Sequence, residues 1–365
     1  MPSLLRSPAS RWAVPVVAIT AVGAAVGFGS VLAGASSPDL PERSAADLLA
    51  SIADSDQPFS GTVVQTSRLG LPDLPEAVTD GVGPIALLTG SHTARIWYSS
   101  PDQARFALTG DLDETNIIRD GDDVWVWSSS TNTAEHAVIP SRDGRDDPGP
   151  VPEAVSPQVA AEALLAAVDP TTEVTVDGTA EVAGRAAYEL VLAPRGTGSL
   201  IDDARVAVDS ETSMPLRVQV NGDGDEPAFE VGFTSVTMGE PSDDVFRFNP
   251  PPGATVEEHD LADLRGHDDA KTGDLSTRNA ALRPTVIGEG WTSVVMIPDV
   301  TLPDSDETGL LEALLGSASM VSGPYGSGRL LETELVSALL LDDGRLLVGA
   351  VTPEVLEQAA GGLDS

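Results

Sequence analysis

The feature that most constrains the fold is a series of short segments in which apolar and polar residues alternate. These segments are PFSGTVVQTSRL, HTARIWYS, QARFALTG, NIIRDGDDVWVWSS, NTAEHAVIP, TEVTVDG, AEVAGRAAYELVLAP, DDARVAVDSETSMPLRVQVNG and AFEVGFTSVTMG. A period of two is typical of strands with one buried face, and Asp120-Gly121 between two such runs indicates a hairpin turn. Roughly ten strands with two or three helices and no strand–helix alternation predict a mainly β protein of antiparallel hairpins.

Two helices are predicted beside these strands. Ser44 is placed to cap AADLLASIAD, and Ser156-Pro157 begins the apolar stripe of VAAEALLAAVD. Aromatic residues make up only 4% of the chain, so a sheet of this size has to curl to bury its apolar face. Two or three helices are barely enough to fill the curve, and incomplete filling predicts an apolar cavity.

Charge and composition exclude several classes of function. The 365 residues contain 57 acidic and 20 basic residues, a net charge of −37. Such a field repels phosphate backbones, so we predict no nucleic-acid partner. The absence of cysteine excludes disulfides, thiolate metal sites, a cysteine nucleophile and a lipidated N-terminal cysteine.

The first residues are typical of an export signal. Arg6 and Arg11 precede an uncharged run from Trp12 to Pro38, which contains the small-x-small pattern Ala33-Gly34-Ala35. Residues 1–35 are interpreted as a cleaved signal peptide or a retained membrane anchor, and 36–43 as a linker. In either case the rest of the chain is expected on the extracytoplasmic side of the membrane, anchored or released.

A segment rich in proline and glycine, GLPDLPEAVTDGVGPIALLTG, carries more aliphatic residues than a surface loop should. We expect it to lie on an apolar surface, either as a flap that seals the core or as a lid over a ligand cavity. The lid residues are Leu71, Leu74, Val78, Val82, Ile85, Leu87 and Leu88.

Three regions follow residue 43. Residues 44–258 contain the predicted strands, and 259–282 are charged and read as an acidic linker. Residues 283–365 combine strands, a helix, a hairpin and a closing helix, so they predict a small α+β module.

The sequence offers no constellation that carries catalysis. His92 and His136 lie in predicted strands, but Gly90-Ser91-His92 is not a nucleophile elbow. The acidic residues around His259 match no calcium or zinc spacing. We therefore predict no catalytic residue, no metal site, no cofactor and a protein that is not an enzyme.

The end of the strand region resembles a known family. AVDSETSMPLRVQV followed by FEVGFTSVTMGEPSDDVFRFNPPPGATV is similar to the C-terminal end of LolA-like domains. The residues that carry the resemblance are Asp209, Thr212, Pro215, Phe248 and Pro251-Pro252-Gly253-Ala254. In this interpretation Phe246 and Phe248 end the last strand, and the prolines prevent further pairing at an exposed edge.

The resemblance implies an antiparallel curved half-barrel, covered by helices, that takes up acyl chains. It therefore predicts an exported, non-enzymatic binder or carrier of lipid or lipoprotein acyl chains. The expected cavity residues are Val63, Ile96, Phe106, Leu108, Val126, Leu190 and Phe233. The two-domain layout, a LolA-like domain followed by the module of residues 283–365, instead resembles the periplasmic regulators that sense mislocalised lipoproteins. The alternative is therefore a regulatory protein that binds an anti-sigma-type membrane protein through this module.

Overall fold

The structure is a computed structural model, which describes residues 38–53, 55, 57–71, 88–110, 113–139, 156–259, 284–300 and 309–362. These residues form two β-sheets of twelve and six strands. The α-helices among them are α1 (Ala45–Ala53), α2 (Pro157–Ala166), α3 (Leu310–Ser317) and α4 (Pro353–Gly362). The protein is thus mainly β with few helices, as the alternating segments predicted.

The larger sheet contains twelve strands, of which eleven pair in an antiparallel manner and the last in the chain pairs in parallel at one edge. The strands are β1 (Phe59–Arg68), β2 (Thr89–Ser100), β3 (Gln103–Thr109), β4 (Glu114–Asp120), β5 (Asp123–Ser128), β6 (Thr133–Val138), β7 (Thr172–Val182), β8 (Arg185–Pro194), β9 (Asp203–Asp209), β10 (Pro215–Asn221), β11 (Phe229–Met238) and β12 (Thr255–His259). Their order is β12-β6-β5-β4-β3-β2-β1-β11-β10-β9-β8-β7, so the sheet is open.

The register collects large apolar side chains on one face of this sheet, which we call the covered face. One row of paired residues runs Ile96, Phe106, Ile117 and Val126 across β2 to β5. Because directly paired residues point to the same face, the whole row shares it. Helices α1 and α2 pack on this face, where Leu48 and Ala161 are fully buried in the same core as Val63.

The larger sheet curls, as its size requires. Strands β7 and β11 approach within 8 Å between Cα atoms, although β8, β9 and β10 lie between them in the sheet. A large sheet that buries one face against only two short helices reduces its exposed apolar area by this curvature.

The smaller sheet is antiparallel throughout. Its strands are β13 (Thr285–Ile287), β14 (Val294–Ile297), β15 (Ser319–Gly323), β16 (Gly326–Glu332), β17 (Ser337–Leu341) and β18 (Leu346–Gly349), in the order β13-β14-β18-β17-β16-β15. The core of the smaller sheet contains Leu339 of β17, Leu347 of β18 and Leu356 of α4, all of them fully buried. We call residues 284–362 the C-terminal module; the boundaries proposed from the sequence stay predictions.

The interpretation of the proline corner was wrong. Phe246 and Phe248 are not in a strand; a 3-10 turn at Asp243–Val245 and an irregular segment replace it. This segment crosses the outer face, the one opposite the covered face, where Phe246 is buried and the Phe248 ring lies 5.3 Å from that of Trp125. The corner then leads into β12, which pairs in parallel with β6, so the prolines do not end the sheet.

The two predicted N-caps differ. The Ser44 hydroxyl accepts a hydrogen bond from the Asp47 backbone N–H at 3.1 Å and donates one to the Asp47 carboxylate at 2.7 Å, as a cap should. Ser156 stands before α2 with Pro157 at the first helical position, but its hydroxyl bonds to the Gln158 side chain instead of the backbone.

The Asp209–Thr212–Pro215 pattern forms a locked turn between β9 and β10. Asp209 Oδ1 accepts hydrogen bonds from the backbone N–H groups of Glu211 and Thr212 and from the Thr212 hydroxyl, at 2.8–3.0 Å. Arg185 from β8 binds both carboxylate oxygens. Burial raises the pKa of Asp209, but these hydrogen bonds outweigh it and hold the pKa below its usual value.

We expect Asp209→Asn to lower the free energy of unfolding by about 3 kcal/mol, because it leaves Arg185 without the buried half of its ion pair. Because the pKa of Asp209 is lowered in the folded state, this contribution is complete above the ordinary value of 3.8 and is lost as the pH falls below it. Urea unfolding at pH 7 and pH 3 measures both effects. The control is Glu211→Gln, which removes an exposed carboxylate from the same arginine and should cost less than about 1 kcal/mol. Equal losses in the two variants would contradict this account of the turn.

Candidate functional site

All seven predicted cavity residues lie on the covered face. Ile96, Phe106 and Val126 share one row, while Val63 pairs with Phe233 and with Ala94, and Ala94 with Leu108. Leu190 belongs to the same face through Val206, Val218 and Val231, the last of which pairs with Gln65 of β1. The structure thus places these residues on one face, although they come from six different strands, and six of them belong to one core that does not include Val126.

Burial on the covered face decreases from one side to the other. Six of the seven residues are at most 5% exposed: Val63, Ile96, Phe106, Leu108, Leu190 and Phe233. Val126 on β5 is only partly buried, as is Val124 on the same face, and Glu135, which pairs with Val126, is exposed. The apolar surface that remains accessible on this face therefore lies at β5, beyond the cover of α1 and α2.

A glycine permits close packing in the centre of the face. A Cβ on Gly61 would lie 2.7 Å from two ring carbons of Phe233, so only glycine allows this ring to cover β1. The ring of Phe233 also meets Phe59 edge-on at 5.6 Å.

The two ends of the predicted lid are described. Leu71 and Leu88 are partly buried and pack against the main core, as an apolar segment lying on the sheet requires. Leu74, Val78, Val82, Ile85 and Leu87 lie outside the described residues, so the choice between a sealing flap and a lid stays a prediction.

A polar pair interrupts the apolar face. Gln65 and His92 are direct partners in the β1–β2 ladder. Gln65 is fully buried and its amide nitrogen lies 3.5 Å from the Ser67 hydroxyl, whereas Gln65 Oε1 and His92 Nε2 are buried without a hydrogen-bond partner among the described residues. An unpartnered buried polar atom costs about 1–3 kcal/mol. Sequence reasoning missed Gln65, although its place in the alternation of PFSGTVVQTSRL put it on the same face as Val63.

Burial lowers the pKa of His92 to about 4, and the negative charge of Asp113 opposes this only in part. His92 is therefore neutral near pH 7. Its neighbour Ser91 points to the outer face, where its hydroxyl bonds with Thr66 at 3.1 Å. His92 and Ser91 thus do not form a nucleophile–base pair, and His136 is also on the outer face.

His136 joins β5, β6 and β12 on the outer face. Its Nδ1 lies 2.7 Å from Glu258 and its Nε2 lies 2.8 Å from Asp123, and its ring stacks on Trp125 at 4.1 Å. Burial lowers the pKa of His136, but hydrogen bonds to Glu258 and Asp123 outweigh this and raise it above 6.5. This arrangement holds the edge strand β12 and resembles an ion-pair clamp rather than a reactive centre.

The C-terminal module closes one end of the covered face. The backbone N–H of Leu200 donates to the Ala350 carbonyl, that of Thr352 to Gly198, and that of Glu334 to Leu69, at 2.8–3.0 Å. Leu335 is fully buried in the core of the larger sheet. Trp291 also joins this core, and its indole N–H donates to the Thr172 hydroxyl at 2.9 Å. The module therefore packs against the end of the sheet at which β1 ends.

Among the ranges that the structure describes, no helix is both long enough and apolar enough to cross a membrane. The proposed signal or anchor, residues 1–35, lies outside those ranges.

Several solved structures are similar to this chain. The chain is similar to MucB from Pseudomonas aeruginosa in its complex with MucA, with 16% identity, a TM-score of 0.41, and coverage of 87% of this chain and 96% of that one. It is also similar to an uncharacterized conserved protein from Thermus thermophilus (13% identity, TM-score 0.33, 59% of this chain and 99% of that one). A third is a LolA superfamily protein from Nitrosomonas europaea (10% identity, TM-score 0.22, 57% and 99%).

The third of these solved structures belongs to the superfamily that the sequence motifs resemble. No protein-family model matches the sequence, and no curated protein matches it. Because the identities are below 25% and the TM-scores below 0.5, what this chain binds has to be inferred from its own residues.

We expect the free energy of unfolding to fall as the pH drops from 6.5 to about 4, partly because His92 takes up a proton more readily in the unfolded chain. His92→Phe removes this titration, so its unfolding midpoint in urea should depend less steeply on pH over that range. A matched variant on the outer face, His136→Phe, should not flatten that slope in the same way. The raised pKa of His136 makes its contribution complete below 6.5 and lost only above that pH. An unchanged slope in His92→Phe would contradict the buried neutral state of His92.

Proposed function

We propose that this protein is an exported binding protein that holds an acyl chain of a lipid or lipoprotein against the covered face of the larger sheet. The observation that supports this best is the collection of apolar side chains from six strands on one face, with burial that decreases toward Val126. An acyl chain entering at β5 would extend the core that Phe106 and Ile96 already form.

Burial of methylene groups supplies the affinity. Each CH₂ removed from water contributes about 0.8 kcal/mol, so ten buried methylenes contribute about 8 kcal/mol before the costs of association. Leu71 and Leu88, at the two ends of the proposed lid segment, pack against the same core. A lid that covers the ligand would add to its buried area.

The charge of the chain fits a carrier of apolar ligands. A net charge of −37 opposes adhesion to anionic membrane surfaces and nucleic acids, so an acyl chain would be taken up through apolar contact alone. We therefore propose binding rather than catalysis, with the extracytoplasmic face of the membrane as the location.

Native mass spectrometry tests this proposal on the full-length chain, purified as the cell produces it and extracted with organic solvent. We expect a stoichiometric acyl lipid or lipopeptide. Val126→Glu places a charge on the accessible part of the covered face and should reduce the bound lipid at least about fivefold, because a buried carboxylate is costly. Val256→Glu is the matched control, since Val256 lies on the outer face of β12 and is 44% exposed. A wild-type protein that stays empty when offered lipids would refute the proposal.

A second candidate function is binding of a membrane protein through the C-terminal module. Met320, on the edge strand β15, is 69% exposed and is the most exposed of the large hydrophobic residues that the structure describes. An exposed edge strand with an apolar residue is a site at which a partner segment can add by strand pairing.

Met320→Asp should abolish crosslinking to such a partner in membranes while leaving bound lipid unchanged. This substitution is preferable to deletion of residues 283–365, because Leu335 and Trp291 belong to the main core and their removal would expose it. Partner crosslinking that persists in Met320→Asp would argue against β15 as the docking strand.

A further inference from the structure

We propose that Gln65 and His92 form a polar subsite for a neutral hydrogen-bonding group of the acyl ligand, such as a secondary amide or a hydroxyl-bearing ester. The inference deepens the proposed function and rests on it. It assigns the class of ligand: an acyl chain whose polar end is uncharged and contains both a donor and an acceptor.

The Gln65 and His92 side chains lie side by side without satisfying each other's hydrogen-bonding groups, which leaves those groups free for a ligand. The two side chains are direct cross-strand partners on the covered face, yet no hydrogen bond joins them. Gln65 is fully buried, and its Oε1 has no hydrogen-bond partner in the described part of the chain. Buried polar atoms are nearly always paired in native proteins, so an unpaired amide oxygen at this place indicates a missing donor.

The chemistry of the two atoms defines what they would bind. Gln65 Oε1 can only accept, so the ligand must bring an N–H or an O–H. The neutral imidazole of His92 carries one donor and one acceptor nitrogen, so its free Nε2 can complement a carbonyl or a hydroxyl. A secondary amide or a hydroxyl ester provides both groups within a few bonds of the acyl chain.

Charge excludes an anionic head at this place. His92 is neutral, and the charge that acts on it is that of the Asp113 carboxylate. A carboxylate or phosphate buried here would be repelled by Asp113 and would offer Gln65 Oε1 no hydrogen. Free fatty acids should therefore be poorer ligands than neutral acyl amides or esters of the same length.

The position of the pair gives the ligand a direction. Gln65 lies two residues before Ser67, close to the end of the sheet that the C-terminal module closes through Leu69 and Glu334. On the covered face the next apolar positions along these strands are Val63 and Ala94, followed by Leu108 and Phe106 on β3. The polar end would lie beneath the module, and the acyl chain would extend toward β5.

The test uses the full-length chain, purified as the cell produces it and stripped of bound lipid, with an environment-sensitive naphthylamine dye as reporter. The competitors are N-methylhexadecanamide, 1-monopalmitoylglycerol and palmitate, which share chain length and differ in their polar end. We expect the two neutral probes to displace the dye at concentrations about tenfold or more below that of palmitate at pH 7.5. A preference for one of the two neutral probes would show whether the natural ligand is an acyl amide or an acyl ester.

Gln65→Leu and His92→Phe should each reduce the advantage of the neutral probes about tenfold, with displacement by each probe referred to the dye affinity measured for the same variant. The matched control is Gln219→Leu, which replaces a glutamine that bonds to Glu230 on the outer face and should keep the full advantage. Gln65→Leu should also melt at the same or a higher temperature, because it removes a buried amide oxygen that has no partner among the described residues and only one long hydrogen bond of the amide nitrogen, 3.5 Å to Ser67. A glutamine with a purely structural role would instead give a lower melting temperature.

The outcomes separate the two proposals. Binding of dye and probes with no difference between wild type, Gln65→Leu and His92→Phe overturns the subsite and leaves the acyl-binding function standing. Tighter binding of palmitate than of the neutral probes also overturns the subsite. A wild-type protein that binds neither the dye nor any probe overturns the acyl-binding function, and the subsite with it.

Discussion

The structure depends on one constraint: the strands of the larger sheet build a continuous apolar surface on one face, and that face has to be covered. Val63, at the centre of the sheet, is fully buried, and the rows on both sides of it continue the same apolar surface. Helices α1 and α2 cover only part of it. Curling of the sheet, the ends of the segment between β1 and β2, and Leu335 of the C-terminal module provide further cover. We propose binding for this reason: Val124 and Val126 of β5 are only partly buried on the covered face, and a ligand could cover them.

Different interactions stabilise the outer face in the two halves of the larger sheet. On β8 to β10 it is held by ion pairs, in which Arg217 binds Glu189 at 2.7 Å and Arg205 binds Asp203 at 3.2 Å. On β4 to β6 it carries Trp125 and Trp127, which the segment after β11 covers with Phe248. These ring contacts fix the segment after β11 to the outer face. The covered face has aromatic residues of its own, among them Phe59, Phe106 and Phe233 in the main core.

The alternating segments predicted a mainly β protein with few helices, because period-two spacing and hairpin turns are local properties. Which face of each strand is buried was left open by the sequence, since a shift of one residue reverses it. Phe246 and Phe248 show where this reasoning fails. Their alternation is that of a strand, but their rings are needed on the outer face, so tertiary packing overrides the local pattern. The parallel pairing of β12 with β6 could not be predicted, because it joins residues more than a hundred positions apart. Gln65 was missed for a different reason: the alternation places it on the same face as Val63, but a polar side chain is usually exposed, and only the structure shows that this one is buried.

In the proposed function, the covered face and not the outer face receives the acyl chain. The most direct measurement is photo-crosslinking in cells with a palmitoyl amide that carries a diazirine on its acyl chain, with adducts located residue by residue by mass spectrometry. The account predicts adducts at alternate positions on β2, β3 and β5, at Ile96, Phe106 and Val126, and none at the intervening residues Trp97, Ala107 and Trp125. Adducts at the intervening positions, or on the outer-face segment around Phe248, would contradict it.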